Sequence, residues 1–180
     1  MNDSNIRMAT LEDAFRILEI YEPYILNTAV TFEYDPVPIN VFQKRMESIM
    51  KQFPWLVYEV EGVIQGYAYC CPFHERAAFA WDCECSVYID TKYQGNGIGS
   101  LLYKKLFQLV EAQGYYNIYA LITTSNESSI RFHEKWGFQI DGNHKNCGYK
   151  FGEWHGLTFM SKQIRDLNTT PILVKSIHEI

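Results

Sequence analysis

The sequence has no apolar run close to the roughly 20 residues that a membrane-spanning helix needs. Residues 1–7 lack the apolar core of a secretory signal, so we predict no signal peptide. Basic residues are also few, since sixteen Lys and Arg face twenty-one Asp and Glu, a formal net charge of −5. We therefore expect no nucleic-acid or membrane partner, because both would need a basic surface. One small anionic ligand held by backbone dipoles is still compatible with this charge.

The five cysteines form no Cys-x-x-C pair, and their number is odd. Structural zinc sites usually use closely spaced pairs, so we predict no metal site. The pattern instead favours free thiols in a reducing cytosol, and hence a cytoplasmic protein. The residues concerned are Cys70, Cys71, Cys83, Cys85 and Cys147.

A chain of 180 residues without internal repeats or a Pro/Gly/Ser-rich linker is long enough for one domain. We predict that residues 1–164 form this domain. Residues 165–180 have no clean periodicity, which is typical of a loose tail or of a partner-binding arm.

Apolar spacing predicts seven strands and four helices in the order β-α-α-β-β-β-loop-α-β-α-β-β. The first helix follows a cap at Thr10, and the third ends at Gly114. This order indicates an α/β or α+β layered domain with one mixed sheet and helices on both faces. The predicted strands cover residues 6–9, 55–60, 63–71, 81–90, 117–122, 137–148 and 154–162, and the second and fourth helices cover residues 41–49 and 126–135.

The most informative segment is the loop Gln94-Gly95-Asn96-Gly97-Ile98-Gly99, which lies between a strand and an amphipathic helix. Glycine permits positive φ and close approach of a ligand, and the first helical amides have no partner within the helix. Such a loop predicts a pyrophosphate cradle, although a tight turn alone would also explain the glycines. Neither the Walker pattern nor the dinucleotide fingerprint fits, which leaves Gln-x-x-Gly-x-Gly.

This loop resembles the coenzyme A pyrophosphate loop of the GCN5-related N-acetyltransferases (GNAT). Asn126, Ser129 and the run His133-Glu134-Lys135-Trp136-Gly137-Phe138 resemble the family's later segment. Four more motifs are similar to the phosphinothricin and methionine sulfoximine N-acetyltransferases: Thr31-Phe32-Glu33, Glu75-Arg76-Ala77-Ala78-Phe79, Glu84-x-Ser86-Val87-Tyr88 and Gly148-Tyr149-Lys150-Phe151-Gly152-x-Trp154. The resemblance spans about residues 6–162 and implies a mostly antiparallel mixed sheet.

The resemblance implies transfer of an acetyl group from acetyl-CoA to the α-amine of a small amino acid or analogue. Attack would be direct, in a ternary complex without metal, and the run at residues 149–151 implies a homodimer. Other acceptors stay open, namely a polyamine, an aminoglycoside or a protein N-terminus. So does a coenzyme A-binding sensor without turnover. A covalent route through cysteine is disfavoured, because no thiol has an evident base beside it.

Glu84 is the candidate general base, since an amine is mostly protonated at pH 7. Strand alternation places it on one face with Asp82, Ser86 and Tyr88. The alternative to a catalytic role is that Glu84 is simply a carboxylate facing solvent. The resemblance places the branch's base here. His133 is the candidate acid for the leaving thiolate, at a position where many relatives have Tyr. Simple packing of this ring against the sheet is the alternative.

The resemblance also assigns binding residues. Arg76 suits a carboxylate through a bidentate bond, which favours an amino-acid acceptor. His74, Phe79 and Gly156 differ from residues that relatives often carry, so they bear on the choice of acceptor. The cofactor candidates are Val87, Tyr88, Ile89, Gly95, Asn96, Gly97, Ile98, Gly99, Ser100, Asn126 and Lys135. The acceptor candidates are Phe32, Arg76, Ala77, Ala78 and Phe79.

Overall fold

The computed structural model describes residues 4–180, in which seven strands form one sheet. The spatial order is β1-β2-β3-β4-β5-β7-β6. β4 and β5 run parallel, and the other neighbouring pairs are antiparallel, which confirms the mixed, mostly antiparallel sheet that the resemblance implied. The strands are β1 (Ser4–Met8), β2 (Trp55–Val60), β3 (Val63–Pro72), β4 (Asp82–Ile89), β5 (Asn117–Thr123), β6 (Gln139–Lys150) and β7 (Glu153–Gln163).

Four α-helices complete the predicted order: α1 (Ala14–Asn27), α2 (Ile39–Met50), α3 (Ile98–Gln113) and α4 (Glu127–Lys135). The Thr10–Asp13 capping box is present, but it closes a short 3-10 turn before α1. Gly114 ends α3 with φ of 106°, a left-handed conformation that favours glycine. Within residues 4–180, no helix is long and apolar enough to cross a membrane.

The helices bury two apolar cores, one on each face of the sheet. On one face α1 and α2 cover β-strand residues such as Trp55 and Tyr67. On the other face α3 places Leu102 and Leu106 against Cys85 and Ile118. Alternation of side chains along each strand supplies both cores, which confirms the predicted layers.

The parallel pairing of β4 with β5 covers only three residues of each strand. Its register joins Asp82 to Asn117, Cys83 to Ile118 and Glu84 to Tyr119. From Cys85 to Ile89, β4 pairs with β3 alone. The two strands therefore part immediately after Glu84 and leave a gap between them.

The C-terminal segment crosses the end of α3. Trp81 donates its indole N–H to the Ile172 carbonyl at 2.7 Å, and the Lys175 amide donates to the Gln113 carbonyl at 2.8 Å. The segment ends in a short 3-10 turn, Ile177–Glu179, whose Ile177 is buried. Its separation from a domain of residues 1–164 stays a prediction.

Gln113 gives a direct test of this packing. Its buried side-chain amide donates to the carbonyls of Gln52 at 2.7 Å and Lys175 at 2.9 Å. Gln113→Ala removes two hydrogen bonds, worth about 1 kcal/mol each, although the Gln52 carbonyl keeps the Ile177 amide and the Lys175 carbonyl keeps the Gln52 side chain as donors. We expect thermal unfolding to shift down by about 3–10 °C, measured by calorimetry. Gln108→Ala, on the exposed face of the same helix, is the control and should stay within about 1 °C.

Candidate active site

A cavity of about 670 Å³ opens where β4 and β5 part. Its walls are β4 from Cys85 to Ile89, β5 from Ala120 to Thr123, the glycine loop and α4. The structure thus brings together ten of the eleven cofactor candidates: Val87, Tyr88, Ile89, Gly95, Gly97, Ile98, Gly99, Ser100, Asn126 and Lys135. Asn96 does not line the cavity, because its amide turns back to donate to the Tyr93 carbonyl at 3.2 Å.

One wall is a strand edge without a ladder partner. Alternate peptide groups of a strand point to its two neighbours, and β4 has a neighbour on the β3 side only from Cys85 onward. The remaining N–H and C=O groups face the gap. This edge suits an extended ligand that carries amides of its own.

The opposite end of the cavity is the glycine loop. Gly95 and Gly97 have φ of 81° and 76°, and a Cβ added at either would meet no protein atom within 4 Å. Gly97 is the N-cap of α3, and no side chain caps that helix. Its first amides and its dipole therefore point to open space that an anion can occupy.

Glu84 stands at the vertex where the two strands part. It lies opposite Cys71 on β3 and beside Tyr119 on β5, on the sheet face away from α3. It is not part of the cavity wall, although the next two residues, Cys85 and Ser86, are. Burial of the carboxyl raises the pKa of Glu84 to about 7. A carboxylate with this pKa can accept and release a proton near neutral pH.

His133 reaches the cavity wall but is almost fully buried, with 3% of its surface exposed. Its Nδ1 lies 2.8 Å from the Ser129 carbonyl, to which only an N–H can donate. Burial lowers the pKa of His133, so the neutral ring dominates at pH 7. Nε2, 2.8 Å from the Tyr103 hydroxyl, then accepts that O–H. Both ring nitrogens are occupied.

The acceptor candidates lie outside this cavity. Arg76, Ala77 and Ala78 are exposed in a short turn that ends at Phe79. Phe79 lines a second cavity of about 310 Å³, together with His74. Phe32 packs instead on the backbone at Gly148. The structure does not bring the five residues to one place, and their role stays a prediction.

Sequence reasoning missed several residues of the cavity wall. Tyr24 donates to the Ile89 carbonyl at 2.5 Å and accepts from the Gln94 amide at 2.8 Å, which ties α1 to the glycine loop. Tyr103 holds His133 and lies 3.4 Å from the Cys85 sulfur. Tyr24 follows Tyr21 at helical spacing, a signal that could have identified it.

The comparison with known proteins decides the family. The family profile described as "Acetyltransferase (GNAT) domain" matches residues 6–158. The chain belongs to the GNAT acetyltransferase family. The expected enzyme class, an N-acetyltransferase, is therefore confirmed.

Individual relatives of this GNAT protein cover nearly its whole length. A phosphinothricin N-acetyltransferase from Streptomyces viridochromogenes is 35% identical over 97% of this chain and 95% of its own. An L-methionine sulfoximine/L-methionine sulfone acetyltransferase from Pseudomonas aeruginosa is 32% identical over 93% and 99%. The crystal structure of a phosphinothricin acetyltransferase from Sinorhizobium meliloti in complex with acetyl-CoA superposes with a TM-score of 0.90. The two sequences are 31% identical, and the superposition covers 94% of this chain and 93% of the Sinorhizobium chain.

The cavity of this GNAT chain fits coenzyme A on its own geometry. The unpartnered β4 edge suits the amides of the pantetheine arm, and the uncapped α3 N-terminus suits the pyrophosphate. Lys135 adds a cation on the wall. Within the part of the chain that the structure describes, no group of three or more His, Cys, Asp or Glu is arranged to hold a metal ion.

Proposed function

We propose that this enzyme transfers the acetyl group of acetyl-CoA to the α-amine of a small amino acid or analogue. Candidate acceptors are of the phosphinothricin, methionine sulfoximine or methionine sulfone type, after the names of its relatives. The observation that carries the proposal is the position of Glu84, whose pKa burial raises to about 7, at the point where β4 and β5 part and the cavity opens. Attack takes place directly, in a ternary complex.

Glu84 acts as the general base in this proposal, through a water molecule or directly. It removes a proton from the acceptor ammonium, and the freed nitrogen attacks the thioester carbon. The backbone N–H of Val87 polarises the thioester carbonyl. A C–N bond forms, the C–S bond breaks, the nitrogen releases its second proton to water, and the thiolate leaves. Bound acetyl-CoA supplies the activated acetyl group and a good leaving group.

His133 is the proposed source of the thiolate's proton. Because Nε2 carries no proton in the neutral ring, the relay starts from the imidazolium: its Nε2–H passes a proton to the Tyr103 oxygen while the Tyr103 O–H protonates the sulfur. The lowered pKa of His133 makes its imidazolium a stronger acid but also a minor species at pH 7. This step therefore assists turnover less than the base does.

The cofactor contacts proposed are the cavity residues together with Asn96 in the glycine loop. Asn126 caps α4 by accepting the Ser129 amide at 3.2 Å, which places its side chain at the cavity wall. On the acceptor side we propose Arg76 for the carboxylate, with Phe32, Ala77, Ala78 and Phe79 around the remainder. The exposed position of Arg76 leaves its guanidinium free to meet a substrate.

Thiol release from acetyl-CoA tests the function directly. The acceptor panel contains phosphinothricin, methionine sulfoximine, methionine sulfone and the twenty amino acids at pH 7 and 8.5. We expect turnover with at least one of the first three. Spermidine, an aminoglycoside and a peptide with a free N-terminus are assayed in parallel. Turnover with one of these alone would overturn the amino-acid class of acceptor while leaving acetyl transfer in place. Binding of acetyl-CoA without any thiol release would favour a sensor.

We also propose a cytoplasmic homodimer. Tyr149, Phe151 and Trp154 project from the β6–β7 hairpin with 48%, 58% and 61% of their surfaces exposed. Such an aromatic patch supports burial against a second copy. The five free cysteines support a reducing compartment.

A further inference from the structure

The loop between α1 and α2 carries two features of the proposed site. Val30 lines the coenzyme A cavity, and Phe32 is an acceptor candidate. Thr123 on β5 donates its hydroxyl to the Ala29 carbonyl, which fixes one side of this loop to the cavity wall. The other side of the loop faces the end of β6.

Lys150, the last residue of β6, is almost completely buried, with 1% of its surface exposed. Its ammonium donates to the carbonyls of Ile25 at 2.7 Å, Thr28 at 2.8 Å and Thr31 at 2.7 Å. An ammonium has three donors, and all three are used. Two of the acceptors lie at the C-terminal end of α1, where carbonyls lack helical partners and the dipole favours a cation.

Gly148, two residues earlier on β6, sets the position of Phe32. A Cβ at Gly148 would lie 2.6 Å from Cε2 of the Phe32 ring. The φ of Gly148 is outside the left-handed region, so the backbone itself does not require glycine there. Glycine is required for space, because the aromatic ring rests on the strand backbone.

We infer that Gly148 and Lys150 are positioning residues for the acceptor side of the site. Lys150 fixes the backbone of the α1–α2 loop, and Gly148 fixes the ring of Phe32 within it. Together they set where Phe32 stands relative to the cavity that Val30 and Thr123 line. The inference rests on the proposed function, from which the acceptor role of Phe32 comes.

The test compares Gly148→Ala with Gly142→Ala on the same strand. A Cβ at Gly142 meets nothing within 4 Å, so this variant controls for loss of glycine in β6. With acetyl-CoA saturating, we expect Gly148→Ala to lower acceptor kcat/KM about 10-fold or more, mainly through KM. The acetyl-CoA Kd should stay within about 2-fold, and Gly142→Ala should stay within about 2-fold on both measures.

A double-mutant cycle with Phe32→Ala isolates the ring contact. Once the ring is removed, Gly148→Ala should cause no further loss. If Gly148→Ala causes the same loss with the Phe32 ring present and with it removed, the assignment of Gly148 is overturned. A Gly148→Ala enzyme that behaves like Gly142→Ala would overturn it as well.

Hydrogen exchange of the loop amides gives a readout that needs no turnover. We expect faster exchange over residues 28–34 in Gly148→Ala and Lys150→Met, but not in Gly142→Ala. Unchanged exchange in the first two variants would refute the positioning role even if the enzyme had no acceptor in the panel. Faster exchange with unchanged acceptor kcat/KM would refute the link to the acceptor site while leaving the proposed function intact.

Discussion

Glu84→Gln is expected to lower kcat/KM at pH 7 by about 100-fold to 10,000-fold, the range in which a positioned general base contributes. Glutamine keeps the size and polarity of the side chain but cannot accept the amine proton. The acetyl-CoA Kd should change by less than about 2-fold, because Glu84 is not part of the cavity wall. Steady-state thiol release and binding titration measure the two quantities.

The pH profile identifies the carboxyl as the base. Since the pKa of Glu84 is raised to about 7, wild-type kcat should fall as the pH drops through 7 and the carboxylate becomes protonated. The Gln variant should lose this acidic limb and recover in part toward pH 9, where more of the amine is already neutral. Full activity of the variant at every pH would remove Glu84 from the mechanism.

Asp82→Asn is the matched control for this substitution. Asp82 lies on the same face of β4, two residues before Glu84, and accepts a hydrogen bond from the Asn117 amide at 2.8 Å. Its neutralisation removes a carboxylate from the same strand away from the larger cavity, although Asp82 shares the second cavity with Phe79. We expect kcat/KM within about 3-fold of wild type and an unchanged acidic limb.

The same raised pKa predicts a gain in stability when Glu84 is replaced. Its pKa in the folded chain, about 7, exceeds the ordinary value of 4.5, so folding favours the protonated form. Wild-type stability should therefore fall as the pH rises from 4.5 through 7. At pH 8 Glu84→Gln should raise the unfolding free energy by about 3 kcal/mol, or about 6–12 °C in Tm, with little effect at pH 4.5. Calorimetry at both pH values measures this.

The parts of the site that the sequence could predict are local. The glycine loop lies within six consecutive residues, and the alternation that places Glu84 on one face lies within one strand. The order of helices and strands along the chain followed from apolar spacing for the same reason, because each period lies within a single element.

The parts that it could not predict join distant elements. The separation of β4 from β5 after Glu84 depends on where the register between two strands stops. The buried bond from Lys150 to Ile25 spans 125 residues of sequence. The hydrogen bond between Tyr103 and His133 joins α3 to α4. It occupies Nε2 of the ring that the sequence analysis had proposed as the general acid.

Gly97→Ala is expected to weaken acetyl-CoA binding by at least about 10-fold while costing only about 1–2 kcal/mol of folding stability. The stability cost comes from the left-handed conformation, φ of 76°, which penalises any Cβ. The larger loss of affinity comes from the position of the new methyl group, which enters the open space at the α3 N-terminus where the pyrophosphate would bind. Binding of acetyl-CoA by calorimetry gives the Kd.

Gly62→Ala separates these two effects. Gly62, in the β2–β3 turn, has nearly the same φ, 78°, and a Cβ there also meets nothing within 4 Å, but it is not part of the cavity wall. Both variants should therefore lose similar stability, and Gly97→Ala alone should lose affinity. Equal Kd values for the two variants would mean that the glycine loop does not hold the pyrophosphate. Loss of affinity in both would mean that backbone strain, rather than contact with the ligand, determines binding.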